Sequence, residues 1–152
     1  MSTSLPRVPP PGYMLVGIIV MVLLNRYLPL GRWLDYPWRY LGIVFIVMGF
    51  AVGGGSGFYF RKLGTNPRPG AKATLIVTKG PFRFTRNPMY ISLTTILIGT
   101  AILLGTYSPL FVIPVFVLLI HYQFVLREEK LMEQWFGDAY LEYKKKTPRW
   151  LW

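Results

Sequence analysis

Long apolar runs separated by short polar stretches organise the chain. Tyr13–Leu24 is apolar almost throughout, and it extends to Leu30 if Asn25 and Arg26 lie near an interface, where an Arg side chain can snorkel. Tyr40–Phe60 carries no charge, and neither do Pro88–Thr106 and Pro109–Leu126. Each run is close to the ~20 residues that cross roughly 30 Å of hydrocarbon at about 1.5 Å per residue. The pattern predicts an all-α membrane protein, one domain over residues 1–152, with about four transmembrane helices at about 13–30, 40–60, 88–106 and 109–126. Buried helices of a soluble protein would give similar runs, but the polar remainder of this chain is too small to cover them.

Composition supports lipid as the main solvent. Hydrophobic residues make up 53% of the chain and charged residues 15%, with a mean hydropathy of +0.39. A soluble domain carries about a quarter charged residues. The absence of cysteine excludes disulfides, thiolate metal sites and a cysteine nucleophile, and a single histidine argues against zinc. The net charge of +11 raises nucleic acid as a partner, but the placement of the charges points elsewhere. Arg61, Lys62, Arg68, Lys72, Lys79, Arg83 and Arg86 fall between the second and third runs, with no acid among them. Arg127, Lys130, Lys144, Lys145, Lys146 and Arg149 follow the fourth. The positive-inside rule places both segments, and with them both termini, in the cytoplasm, with anionic headgroups as partners. Arg26, Arg32 and Arg39, near the first loop, run against this but are outnumbered.

The proline-rich Met1–Gly12 is expected to be an irregular lead-in. It lacks a small-residue cleavage site, so the first helix is expected to be retained. Gly49, Gly53 and Gly57 recur on the second helix, which suits close helix packing or a thin wall beside a ligand. Pro67, Pro69 and Gly70 punctuate the stretch Asn66–Asn87. There Thr74–Thr78 is short and β-branched, and Lys79-Gly80-Pro81 marks a turn. Asn87 suits an N-cap and Pro88 the first helical position, and such a helix end also offers free N–H groups to an anion. His121 and Gln123 are polar groups in an apolar run just before Arg127-Glu128-Glu129, either a solvated helix end or a functional cluster. Leu131, Met132, Trp135, Phe136, Tyr140 and Tyr143 form an apolar stripe, expected as an amphipathic helix on the membrane surface or folded back over the loop. Lys144-Lys145-Lys146 reads as an anionic-lipid contact.

The segment from Leu75 to Tyr90, Leu75-Ile76-Val77-Thr78-Lys79-Gly80-Pro81-Phe82-Arg83-Phe84-Thr85-Arg86-Asn87-Pro88-Met89-Tyr90, resembles the signature of the isoprenylcysteine carboxyl methyltransferase and phospholipid methyltransferase superfamily. Glu128-Glu129, Phe136-Gly137, Tyr140 to Lys145 and Pro148 resemble its second signature, and the two flank a helical hairpin in the family order. The resemblance implies an integral-membrane enzyme using S-adenosyl-L-methionine, held between a cytoplasmic loop and a C-terminal amphipathic helix. It implies that Leu75, Ile76, Val77 and Phe82 line the nucleoside pocket. Asn87, Pro88, Met89 and Tyr90 would contact the cofactor at the start of the third helix, and Glu128 and Glu129 would meet its amino-acid end. Three positions depart from the isoprenylcysteine enzymes: Asn87 for His, Phe82 for Tyr, and Phe124 where an Arg meets the substrate carboxylate. The last argues against a carboxylate acceptor.

The residue types suit that chemistry. A Glu can pair with an ammonium, Arg86 or helix N–H groups with a carboxylate, and aromatic faces with a sulfonium. His121 is the one imidazole available as a base, and Arg127 a cation for an anionic acceptor. Two other readings remain. One is an NADPH-dependent membrane reductase of the sterol type, for which Lys79, Arg83 and Arg86 would supply a phosphate cluster. The other is a non-enzymatic packing or lipid-binding protein.

Overall fold

The computed structural model describes residues 6, 8–65 and 71–151. The start of the proline-rich lead-in, and the loop punctuation expected from Asn66 to Gly70 (Pro67, Arg68 and Pro69 included), lie outside the described residues. The elements are α1 (Pro10–Tyr27), α2 (Leu41–Lys62), α3 (Pro88–Leu104), α4 (Val112–Ile120), α5 (Leu126–Phe136) and α6 (Asp138–Lys146). A 3₁₀ turn at Trp38–Tyr40 leads into α2, another at Ser108–Phe111 leads into α4, and a π turn at His121–Val125 joins α4 to α5. The described residues form no β-strand, and their one isolated bridge joins Arg32 to Thr106.

Three helical stretches are long and apolar enough to cross a membrane, at Pro10–Tyr27, Trp38–Lys62 and Ser108–Phe136. The third helix, Pro88–Leu104, has 17 residues and sits at the short end of what spans a bilayer. It is the central helix, packed along α2 and also against α1 and α4. Ile96, Leu97 and Ala101 on α3 join Met14 and Met21 of α1 and Phe116 and Ile120 of α4 in one core. Leu15, Val16 and Ile19 on α1, and Val44, Val47 and Phe50 on α2, stay exposed as lipid-facing positions would.

Several boundaries differ from expectation for local reasons. The lead-in ends earlier, with α1 starting at Pro10 rather than Tyr13. The first turn of a helix has no acceptors for its N–H groups, so prolines there sacrifice nothing. That helix stops at Tyr27, short of Leu30, because Pro29 disfavours helical geometry at Leu28, whose φ is −143°. The fourth run continues through the π turn to Phe136. Thr74–Thr78 is irregular, for no strand faces it, whereas the expected turn is present as a 3₁₀ turn at Gly80–Arg83. The tail breaks at Gly137, where φ is +51°. This break lets α6 fold back over the loop, where the Tyr143 hydroxyl donates to the Phe82 carbonyl at 2.7 Å.

The two loop sets occupy opposite ends of the bundle. At one end Tyr107 N–H donates to Gly31 O at 3.2 Å and Trp33 N–H to Gly105 O at 3.1 Å. Arg39 donates there to Leu103 O at 2.7 Å and Leu104 O at 2.6 Å, capping the carbonyl end of α3. At the other end the loop before α3 meets the chain after α6, as Arg86 N–H donates to Pro148 O at 2.9 Å. The small residues of α2 serve both expected uses. A Cβ at Gly49 would fall 2.5 Å from Ile96, and one at Gly53 2.6 Å from Ser92 Oγ, so α2 and α3 touch there. Gly54 and Gly57 have open space beside them and line a cavity.

Candidate active site

That cavity, of about 700 Å³, lies at the end of the bundle where the loop and α6 meet. The size falls within the roughly 300–1,000 Å³ typical of small-ligand sites. Its lining includes Leu75, Ile76, Val77 and Phe82 from the loop, Asn87, Pro88, Met89 and Tyr90 from the start of α3, and Glu128 and Glu129 from α5. Every residue of the expected cofactor set is therefore brought to one cavity. His121 and Arg127 are not in its lining. The His121 ring lies 6.2 Å from that of Trp150 and 5.1 Å from that of Tyr122. Phe124 is also away from the cavity, 1% exposed and packed between Tyr13 and Tyr90.

Local structure explains how the loop residues face inward. Val77 and Phe82 are buried, and the Phe82 ring meets Phe60 of α2 edge-on at 4.7 Å. Asn87 stands at the N-cap position of α3, but its side chain makes no capping bond. Its Nδ2 donates instead to the Arg149 carbonyl at 2.9 Å, while Thr85 Oγ1 accepts from the Asn87 N–H at 3.1 Å. Thr85 also donates to the Arg149 carbonyl, at 3.0 Å. The asparagine therefore ties the start of α3 to the chain after α6 instead of capping the helix.

The two adjacent glutamates have different surroundings. Glu128 accepts a 2.9 Å hydrogen bond from the Tyr90 phenol and pairs with no cation among the described residues. Glu129, 6% exposed, accepts from Arg149 Nε at 2.9 Å and Nη2 at 2.8 Å. Arg86 Nη1 lies 3.0 Å from it, and Lys144 Nζ lies 4.0 Å away. Lys144 makes its short contact with Glu133, at 2.6 Å, and Lys145 pairs with Glu142 at 2.8 Å, so both are engaged in ion pairs within the chain. Burial, then the Glu129 charge, pushes the Tyr140 phenol up to about 12, against the opposing effect of Arg86. Burial also raises Tyr143, with Tyr140 adding to it. The Arg149 guanidinium is raised by its hydrogen bond to Glu129.

Apart from Arg61 and Ser92, the remaining walls are largely apolar and come mainly from α1, α2 and the middle of α3. Met14 of α1, Phe50 and Phe58 of α2, and Leu93 and Ile96 of α3 extend the cavity along the lipid-facing helices. Trp135, Tyr140 and Tyr143 close it from the tail, where the apolar stripe was the signal. In the sequence Arg149 is one basic residue of the tail, and only its ion pair with Glu129 across 20 residues gives it a place here.

A model of the phospholipid methyltransferase family matches residues 37–139, about two-thirds of the chain, including Leu75–Tyr90 and Glu128-Glu129. The chain is 31% identical over 77 residues to a protein-S-isoprenylcysteine O-methyltransferase of Schizosaccharomyces pombe, covering 51% of this chain and 33% of that one. It is 40% identical over 63 residues to an uncharacterized protein of Haemophilus influenzae, covering 41% of this chain and 100% of that one. The match thus spans about a third of the length of the fission-yeast enzyme. No solved structure matches significantly.

Proposed function

The chain belongs to the phospholipid methyltransferase family, and on that premise we propose that it moves the methyl group of S-adenosylmethionine to a lipophilic acceptor at the membrane face. The observation that carries the reading is Glu128, a carboxylate in the cavity wall whose hydrogen-bond partner is a neutral phenol and which pairs with no described cation. Such a group attracts a cationic ligand, and a charge-assisted contact of this kind contributes about 1.5–3 kcal/mol. When bound, S-adenosylmethionine supplies a methyl group on a positively charged sulfur, together with an ammonium and a carboxylate. The orphaned donors of Arg86 in the same cavity fit that carboxylate, and Leu75, Ile76, Val77 and Phe82 fit an adenine.

In this reading Glu128 holds the ammonium, with Tyr90 fixing its rotamer. The apolar arm lined by Met14, Phe50 and Phe58 takes the acceptor from the bilayer. Transfer would form the bond from the acceptor's lone pair to the methyl carbon and break the carbon–sulfur bond, leaving its electron pair on sulfur. A thiol, amine or phenol acceptor also gives up a proton, which leaves to solvent at the polar end. Walls that exclude water favour a reaction in which charge is neutralised, and the chief task of the protein is alignment. His121, outside the lining and stacked near Trp150, has no role in this scheme. The loop, the tail and both termini would face the cytoplasm.

The reductase reading loses its phosphate cluster, since Lys79 and Arg83 are exposed and absent from the lining. Calorimetric titration of detergent-purified protein with S-adenosylmethionine, S-adenosylhomocysteine and NADPH tests the proposal. Binding of the first two is expected. Binding of NADPH alone, or of none, would sink it.

A further inference from the structure

We infer that Arg149 is a positioning residue: by taking both oxygens of Glu129, it leaves donors of the Arg86 guanidinium, which also ion-pairs with Glu129, available to a ligand carboxylate in the cavity. The inference rests on the reading of that cavity as a ligand site. Arg149 approaches Glu129 in the two-pronged manner of a guanidinium on a carboxylate, Nε to Oε1 at 2.9 Å and Nη2 to Oε2 at 2.8 Å. Its backbone is fastened at the same time. The Arg149 carbonyl accepts from Thr85 Oγ1 and Asn87 Nδ2, and the Pro148 carbonyl accepts from the Arg86 N–H. The strap after α6 is therefore tied to the residues on either side of Arg86.

Arg86 is left with capacity. Its side chain is 9% exposed, and its Nη1 lies within ion-pair reach of Glu129 at 3.0 Å but off the hydrogen-bonding direction. Nε and Nη1 have no hydrogen-bond partner among the described residues. Unsatisfied donors on a buried charged group are costly and rare, so the pair calls for an acceptor. The charges agree. Arg86, Arg149 and Lys144 face Glu129 and Glu133, and Arg61 and Glu128 of the same lining offset each other, which leaves one positive charge at this end of the cavity. A carboxylate could come from the amino-acid end of a methyl donor or from an acceptor of the prenylcysteine kind.

Paired ligands test this by calorimetry on the protein in detergent. The donor pair is S-adenosylhomocysteine and its decarboxylated counterpart; the acceptor pair is a prenylcysteine and its methyl ester. The wild type should prefer the carboxylate member of one pair by roughly tenfold or more, and that pair identifies the source. In Arg149→Gln, Arg86 turns onto Glu129 and the preference should fall to within about twofold, while the uncharged member keeps its affinity. Arg149→Lys, which offers one point contact in place of two, should lose part of the preference, and it carries the test if the Gln variant does not fold. Equal losses for both members of a pair would make Arg149 merely structural and overturn the inference. So would an unchanged preference, or a wild type with no preference in either pair. A wild type that binds no nucleoside but shows the preference with prenylcysteine would overturn the donor reading of the site and uphold the role of Arg149.

Discussion

The phenol of Tyr90, at the start of α3, donates a 2.9 Å hydrogen bond to the carboxylate of Glu128 near the start of α5, a contact across 38 residues of chain. It joins the two segments that carry the family signatures and sets one carboxylate oxygen in the cavity wall. The second oxygen is then the natural partner for a ligand cation.

Replacing Glu128 by Gln should therefore weaken donor affinity roughly tenfold or more while leaving the protein folded, since an amide still accepts from Tyr90. Tyr90→Phe should cost less, on the order of threefold, because it removes only a neutral donor to the carboxylate. Calorimetry with S-adenosylhomocysteine on both variants checks the order. Unchanged affinity in Glu128→Gln would remove that residue from the site.

Most of this site was legible because its residues fall in two compact segments, 75–90 and 128–143, whose chemistry is local. Apolar runs marked the helices for the same reason, as each run is continuous. What escaped depends on contacts between distant residues. Nothing near Arg39 indicates that its guanidinium caps α3 across 64 residues, so it counted as a stray charge in the first loop. The pairing of Arg149 with Glu129 depends likewise on distant contacts, as does that of Lys144 with Glu133. His121 drew notice as the lone imidazole, but the π turn and Trp150 decide where it points.

The contact between α2 and α3 predicts unequal tolerance among the glycines. A Cβ at Gly99 would fall 2.5 Å from the Gly42 carbonyl oxygen, and one at Gly55 would meet nothing within 4 Å. Gly99→Val should destabilise the protein by about 1–3 kcal/mol through overpacking. Gly55→Ala should be neutral or stabilising by up to about 1 kcal/mol, as helix propensity favours Ala. Thermal unfolding of both variants in one detergent reads the difference, and equal midpoints would contradict the close approach.

Arg39 supplies a second stability test. Its two hydrogen bonds satisfy the carbonyls of Leu103 and Leu104 where α3 ends, beside Gly105 at φ +69°. A charged donor to a carbonyl contributes about 1.5–3 kcal/mol at most when removal leaves the acceptor unsatisfied, and less where water can reach it. Arg39→Ala should lower stability by roughly 1–3 kcal/mol, with Arg39→Lys recovering part. Donor affinity should be unchanged in both, because the cap lies at the end of the bundle away from the cavity. Lost binding with unchanged stability would refute the assignment.

Sidedness is the remaining prediction, and the absence of native cysteine makes it simple to measure. The loop before α3 and the tail meet at one end, tied by Arg86, Thr85 and Asn87 to residues 148 and 149. The turn between α3 and α4 meets the first loop at the other end, through Tyr107 and Gly31. The basic loop and tail should therefore face the cytoplasm together, as the distribution of Lys and Arg requires. Lys72 and Lys145 are exposed at that end, and Tyr107, 48% exposed, serves at the other better than Ser108, which is 2% exposed. Single cysteines at 72 and 145 should react with an impermeant maleimide from the cytoplasmic side, and one at 107 only from the opposite side. At 17 residues α3 is the helix that this experiment tests. If positions 72 and 107 label from the same side, α3 does not cross, and the cavity at its N-terminal end cannot be assigned to the cytoplasmic face.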